Sequence, residues 1–139
     1  MHTPILIKNF TSDSAIAPYR IVAIGAADGS VKQASVSTDA LLGVTDSLGS
    51  NSANRVDVIQ MGVVNVEYGG NVTRGDLLTA DANGKAVKAT AHTHTENTAG
   101  AYAQNATTAA GSMKEIIGRA MVSGVSGDIG SVQINLGQI

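Results

Sequence analysis

Apolar residues recur at alternate positions in short stretches divided by Gly, Asn, Asp and Ser, the spacing of half-buried strands and not of amphipathic helices. Arg20–Ile24 and Val31–Val36 are two such stretches, and Asp28 and Gly29 between them supply the turn chemistry of a hairpin. Leu41–Val44 predicts a further short strand, followed by a polar loop over Asp46–Asn54. Arg55–Gln60 and Val63–Tyr68 alternate again and predict two more strands. Beyond them, Gly75-Asp76 and Asn83-Gly84 bracket a strand: the glycines take backbone conformations other residues resist, and Asp bonds neighbouring amides. Gly127-Asp128-Ile129 repeats the Gly-Asp-apolar device between strands over Ile116–Val122 and Ser131–Leu136.

The pattern amounts to about nine short strands at the turn spacing of an all-β barrel or sandwich. The expectation is one small domain, β-barrel or β-clip-like, over residues 20–139, preceded by an N-terminal arm over residues 1–19. The arm carries the apolar residues Ile5, Leu6 and Ile7, then Phe10, then a polar Thr11-Ser12-Asp13-Ser14 stretch. Ala89–Gly111 departs from the pattern, being nearly all Ala, Thr, Asn, His and Gly. It reads as a long surface loop or a short helix around Ala99–Ala110, without an apolar stripe to dock it.

Composition sharpens this picture. The 139 residues allow one core, and with aromatics at 3% that core is built from small and β-branched side chains. Charged residues are only 14%, the net charge is −2, and no Lys/Arg run occurs, so the electrostatic footprint of a nucleic-acid binder is missing. The sequence has no cysteine, which excludes disulfides and thiolate metal sites. The first residues lack a basic region and a long enough apolar run for a signal peptide, and no stretch approaches the roughly 20 apolar residues of a membrane span. The expectation is a soluble protein made in the cytoplasm. A β domain with few charges and an apolar arm is either marginal alone or hides part of its surface in an assembly, and assembly is the expectation.

Candidate chemistry is sparse. His92-Thr93-His94 places two imidazoles on one face of an extended chain, half of a metal site whose third ligand could only be Glu96 or His2; two solvated histidines is the simpler reading, and no cofactor is expected. No histidine adjoins a nucleophile elbow, and Asp28, Asp81 and Asp128 sit in turns, where Asp serves the backbone. Gly124–Gly130 lacks the Lys-Ser/Thr ending of a phosphate loop and leads into a strand. Arg74-Gly75-Asp76 and three Asn-x-Thr triplets are short matches that a Gly/Asn/Thr-rich chain produces by chance. No enzyme can be assembled from these residues.

The order of motifs is more informative. Leu42-Gly43-Val44-Thr45-Asp46 is followed by Val56-Asp57-Val58 and Gly62-Val63-Val64-Asn65-Val66. Then come Gly69-Gly70-Asn71-Val72-Thr73-Arg74-Gly75-Asp76-Leu77-Leu78, Asp81-Ala82-Asn83-Gly84-Lys85-Ala86, Ile117-Gly118-Arg119-Ala120-Met121, and Gly127-Asp128 before Val132-Gln133-Ile134. This succession resembles the small capsid decoration proteins of tailed bacteriophages, also called cement or head-stabilising proteins, over residues 20–90 and 114–136. The resemblance implies a non-enzymatic β domain, without cofactor, made in the bacterial host. It implies binding to the major capsid protein lattice on the outside of the expanded head, commonly as homotrimers that resist internal DNA pressure. It makes Ile5, Leu6, Ile7 and Phe10 the candidate capsid contacts. The competing readings are another virion part (tail, baseplate or head-fibre base) and a small ligand-binding β module, which would call for more exposed aromatics.

Overall fold

The computed structural model describes residues 1–91 and 113–139, which hold nine strands and no helix. In chain order these are β1 (Thr3–Ser12), β2 (Ile21–Ile24), β3 (Ser30–Gln33), β4 (Leu41–Ser50), β5 (Arg55–Glu67), β6 (Leu77–Ala80), β7 (Ala86–Lys88), β8 (Glu115–Ala120) and β9 (Ile129–Gln138). The first five run β1-β3-β2-β4-β5 and close through a β1–β5 pairing into a five-stranded barrel. Beyond β5 the sheet continues as β9-β8-β6-β7.

Two cores result. Val22, Val31, Val56 and Val58 fill the barrel with Ile16, and Phe10 and Leu42 pack against them. The larger core lies between the barrel's outer face and the second sheet, joining Ile21, Ala23, Val44 and Ile59 to Val64, Val66, Tyr68, Leu78, Ile117 and Val132. The alternation on β2 explains both: Val22 points into the barrel while Ile21 and Ala23 point to the other core. On β5, Val56 and Val58 face the barrel, whereas Ile59, Val64 and Val66 face the second core. The even positions therefore change sides between Ile59 and Val64. Gly62 lies in this interval with φ of 107°, and a side chain there would collide with the Thr3 carbonyl, 2.4 Å from an added Cβ. Only glycine fits that backbone.

The strand count agrees with the sequence pattern, but three boundaries differ. The arm expected over residues 1–19 contains β1, which pairs antiparallel with β5 from Thr3↔Val63 to Thr11↔Arg55. The polar loop expected from Asp46 starts later, because β4 continues to Ser50; Ser50 pairs with Val56 and its amide donates to the Ile16 carbonyl. The two strands expected over Arg55–Tyr68 are one strand of 13 residues, bent but not broken at Gly62. The Ala89–Gly111 segment, apart from its first residues Ala89–Ala91, lies outside the described residues, as do His92 and His94.

Tyr68 is the largest fully buried side chain. Its hydroxyl donates to the Val122 carbonyl at 2.8 Å, and burial pushes the phenol pKa up, with Asp128 adding to the effect, so it remains a donor. Its ring lies directly over Gly130, where an added Cβ would sit 2.2 Å from Cζ and Oη. Gly130→Ala should therefore destabilise by about 1–3 kcal/mol, the usual penalty for overpacking a core; a urea midpoint equal to that of the wild type would show that the ring has room to retreat.

Candidate interaction surface

The two Gly-Asp turns form one symmetric unit. At a constant offset along the chain, Tyr68 corresponds to Ala120, Val72 to Gly124, Gly75 to Gly127 and Asp76 to Asp128. Val72 and Gly124 exchange backbone hydrogen bonds at 2.9 and 3.0 Å. The Gly75 amide donates to the Ala120 carbonyl and the Gly127 amide to the Tyr68 carbonyl, while Ala120 and Tyr68 donate to Asp76 and Asp128 in turn. Each aspartate accepts from the amide three residues earlier, Thr73 or Val125, at 2.9 Å, and the glycines have φ of 94° and 93°. Each turn thus holds the end of the strand that enters the other half. The remaining turn residues also serve the backbone. Gly29 (φ 74°) accepts from Thr11 at the start of the β1–β3 pairing, and Gly84 (φ 69°), after Asn83, accepts from Ile21 and ties the β6–β7 turn to the barrel. Asp28 sits beside Gly29 in the β2–β3 turn.

Where the barrel meets the second sheet, Glu67 takes two cations. Arg20 Nη1 lies 2.5 Å from Oε2 and Lys85 Nζ 2.8 Å from Oε1. Lys85 and Arg20 together hold the Glu67 carboxyl below the usual glutamate range against the opposing effect of burial. Among the described residues no three His, Asp or Glu side chains converge on a metal position.

The surface itself is most unusual along β1. Ile5, Leu6 and Ile7 are 73%, 43% and 51% exposed, and among the described residues the edge of β1 away from β5 pairs only at Thr11 and Ser12. The other end of the sheet is different: β7 has three residues, flanked and capped by Lys85 and Lys88, the usual way of closing an edge to other chains. The four candidate contacts do not share one surface. Ile5 lines a cavity of about 310 Å³ with Met61, Gly62 and Ile134. Ile7 lines another of about 380 Å³ with Tyr19 and Ile59. Phe10 packs on the barrel core under the Lys8 ammonium, 5.3 Å from its ring centre. Met61 and Ile134 were not visible as surface candidates in the sequence, because Met61 fell in the expected break between two strands and Ile134 in ordinary alternation.

These features define a small all-β module whose distinctive feature, among the described residues, is its exposed surface along β1. The sequence profile of the phage cement protein family matches residues 5–122, and the chain belongs to that family, whose members are structural proteins of the phage head. No curated protein matches it. Among solved structures, the N base of head fibre gp8.5 in bacteriophage phi29 is similar, with a TM-score of 0.59 at 15% identity over 94% of this chain and 93% of that one. At that identity the likeness is one of fold.

The Glu67 cluster generates a pH prediction. A carboxyl held low in the folded state contributes stability that is complete above its unfolded pKa and lost as pH falls through the folded value, here in the acid window below the ordinary glutamate value of 4.5. The urea midpoint should fall across this window, and Glu67→Gln should make the fall shallower. What remains belongs to Asp76, held low by the Thr73 amide and Lys88, and to Asp39, where burial is outweighed by the Ser35 and Val36 amides and Lys32. An unchanged slope in the variant would remove Glu67 from the acid response.

Proposed function

We propose that this protein decorates the outer surface of the expanded phage head, binding the major capsid protein lattice as a homotrimer and stabilising the shell against internal DNA pressure. Family membership supports the head as its location; the observation that carries the contact itself is the exposed, incompletely paired β1 edge with its run of apolar residues. An open apolar edge is a costly surface for a free protein and a ready one for a partner strand. Ile5 and Leu6, with Met61 and Ile134 beside them, form the patch that meets the capsid. Ile7 opens to the other cavity and stands outside this patch, and Phe10 anchors the strand on the barrel core. Each contact is weak, and attachment becomes firm when a trimer engages several capsomers at once, so the repeated lattice is required. In this reading the protein is made in the bacterial cytoplasm and is a non-enzymatic part of the virion.

A head-fibre base is the second reading, supported by the likeness in fold to the phi29 fibre base. It also binds the head, but carries a further protein outward.

Because β1 pairs along most of β5, deleting the first ten residues would open the barrel and test folding instead of binding. Single substitutions at exposed positions avoid this. The purified protein should co-sediment saturably with expanded, undecorated heads and not with unexpanded procapsids or tails, and Ile5→Asp or Leu6→Asp should weaken binding at least about tenfold, as loss of an interface anchor does, without moving the melting temperature appreciably. Binding to tails, or undiminished binding by both variants, would overturn this reading.

A further inference from the structure

Tyr19 is the one aromatic residue among the described residues with a left-handed backbone, φ 59°. Side chains with a Cβ resist that conformation, and glycine or asparagine normally occupies it. The surroundings impose it: the Tyr19 amide donates to the Asp46 carbonyl at 3.2 Å, and its carbonyl accepts from Glu67 at 3.0 Å, the residue locked by Arg20 and Lys85. A turn needing φ near +60° would be more stable with glycine, so a bulky ring kept there at a cost in strain points to use of the ring.

Tyr19 lines a cavity of about 380 Å³ together with the apolar Ile7 and Ile59 and the polar Asp46, Ser47 and Asn65. Asp46 also lines a neighbouring cavity of about 350 Å³ with Asn9, Arg55 and Asp57. The two cavities share Asp46, and each borders a β1–β5 pair, Ile7 with Ile59 in one and Asn9 with Asp57 in the other. Several polar groups of the two cavities are held in place: Asn9 Nδ2 donates to Asp57 Oδ1 at 2.9 Å, Arg55 Nη1 to the Thr11 hydroxyl at 2.9 Å, and Asp46 Oδ1 accepts from the Leu48 amide at 3.0 Å. An aromatic and aliphatic surface flanked by preset carboxylate and amide groups suits a ligand with a C–H face and hydroxyl edges.

We propose that the cavity lined by Tyr19 is a binding site for a saccharide chain, with the Tyr19 ring against a sugar face and Asp46 and Asn65 hydrogen-bonded to its hydroxyls. The second cavity adjoining at Asp46 favours an oligosaccharide over a single sugar. The site is separate from the Ile5–Met61 patch and does not depend on the cement reading.

The test is an amide NMR titration of the full chain with maltohexaose, chitotetraose and mannotetraose. At least one should give saturable shifts clustered at Ile7, Tyr19, Ser47 and Asn65. Tyr19→Gly relieves the backbone and should raise the melting temperature while weakening binding about tenfold or more, a divergence that a merely structural tyrosine would not produce. Asn65→Ala, which breaks no side-chain hydrogen bond seen among the described residues, should weaken binding with the fold unchanged. Absence of clustered shifts with all three saccharides, or undiminished affinity in Tyr19→Gly, would overturn the proposal.

Discussion

β5 is hydrogen-bonded to β1 and β4 along its first part and to β9 along its last, so its side chains must fill the barrel at one end and the inter-sheet core at the other. A strand with strict alternation cannot do this when its partners change sides, because a one-residue slip turns every side chain over. The slip is placed between Ile59 and Val64, and the β1–β5 register shifts beside it, between Pro4 and Leu6 and between Leu6 and Ile7. Gly62 makes the bend possible. The apolar residues of β1 that stand exposed lie opposite this irregular stretch, so the geometry that joins the two cores also turns Ile5 and Ile7 toward different cavities.

With so few aromatics, close approach of backbones replaces bulk. An added Cβ on Gly43 would lie 2.3 Å from the Ile59 carbonyl and one on Gly118 2.0 Å from the Gln133 carbonyl, so these strands cross where larger residues could not. Tyr68 is the exception that proves necessary: one large ring fills the space left over Gly124 and Gly130, at the centre of the paired Gly-Asp turns. Packing of this kind transmits strain readily and tolerates little change in volume. It also leaves the outside largely free of structural duty, since both cores are closed by backbone pairing and not by surface ion pairs.

Much of the fold was legible because alternation and turn residues report local geometry. Ile21–Ile24, Val56–Val58 and Val64–Val66 alternate, and the Asn83-Gly84 and Gly-Asp pairs stand where the chain reverses. What could not be read is what depends on partners distant in sequence. Asp46–Ser50 looks like a loop because its side chains are polar, yet its backbone is held by Tyr19, Ile16 and Val56. Ile5-Leu6-Ile7 has no period because both of its faces are exposed, and exposure on both faces leaves no pattern to find. Tyr19 gave no signal at all: composition predicts glycine or asparagine at a left-handed turn position, so a tyrosine there is invisible until the backbone is seen. Met61-Gly62 read as a break because a bend and a break use the same residue.

The two sheet edges are treated so differently that chance exposure is a poor explanation. β7 is short and guarded by lysines, one of them paired to Asp76 at 3.1 Å, whereas β1 is ten residues long with Lys8 as its only charge. Both edges belong to one continuous sheet, so an open edge is not forced by the topology. In a protein with only 14% charged residues, exposed apolar strand is a standing risk of self-association, and its retention is intelligible if a surface outside the chain regularly covers it. A phage head presents such a surface in many identical copies. Under the proposed decoration role, weak pairing at each copy would suffice, because attachment would grow with the number of sites engaged while a single loose capsid subunit would not hold the protein.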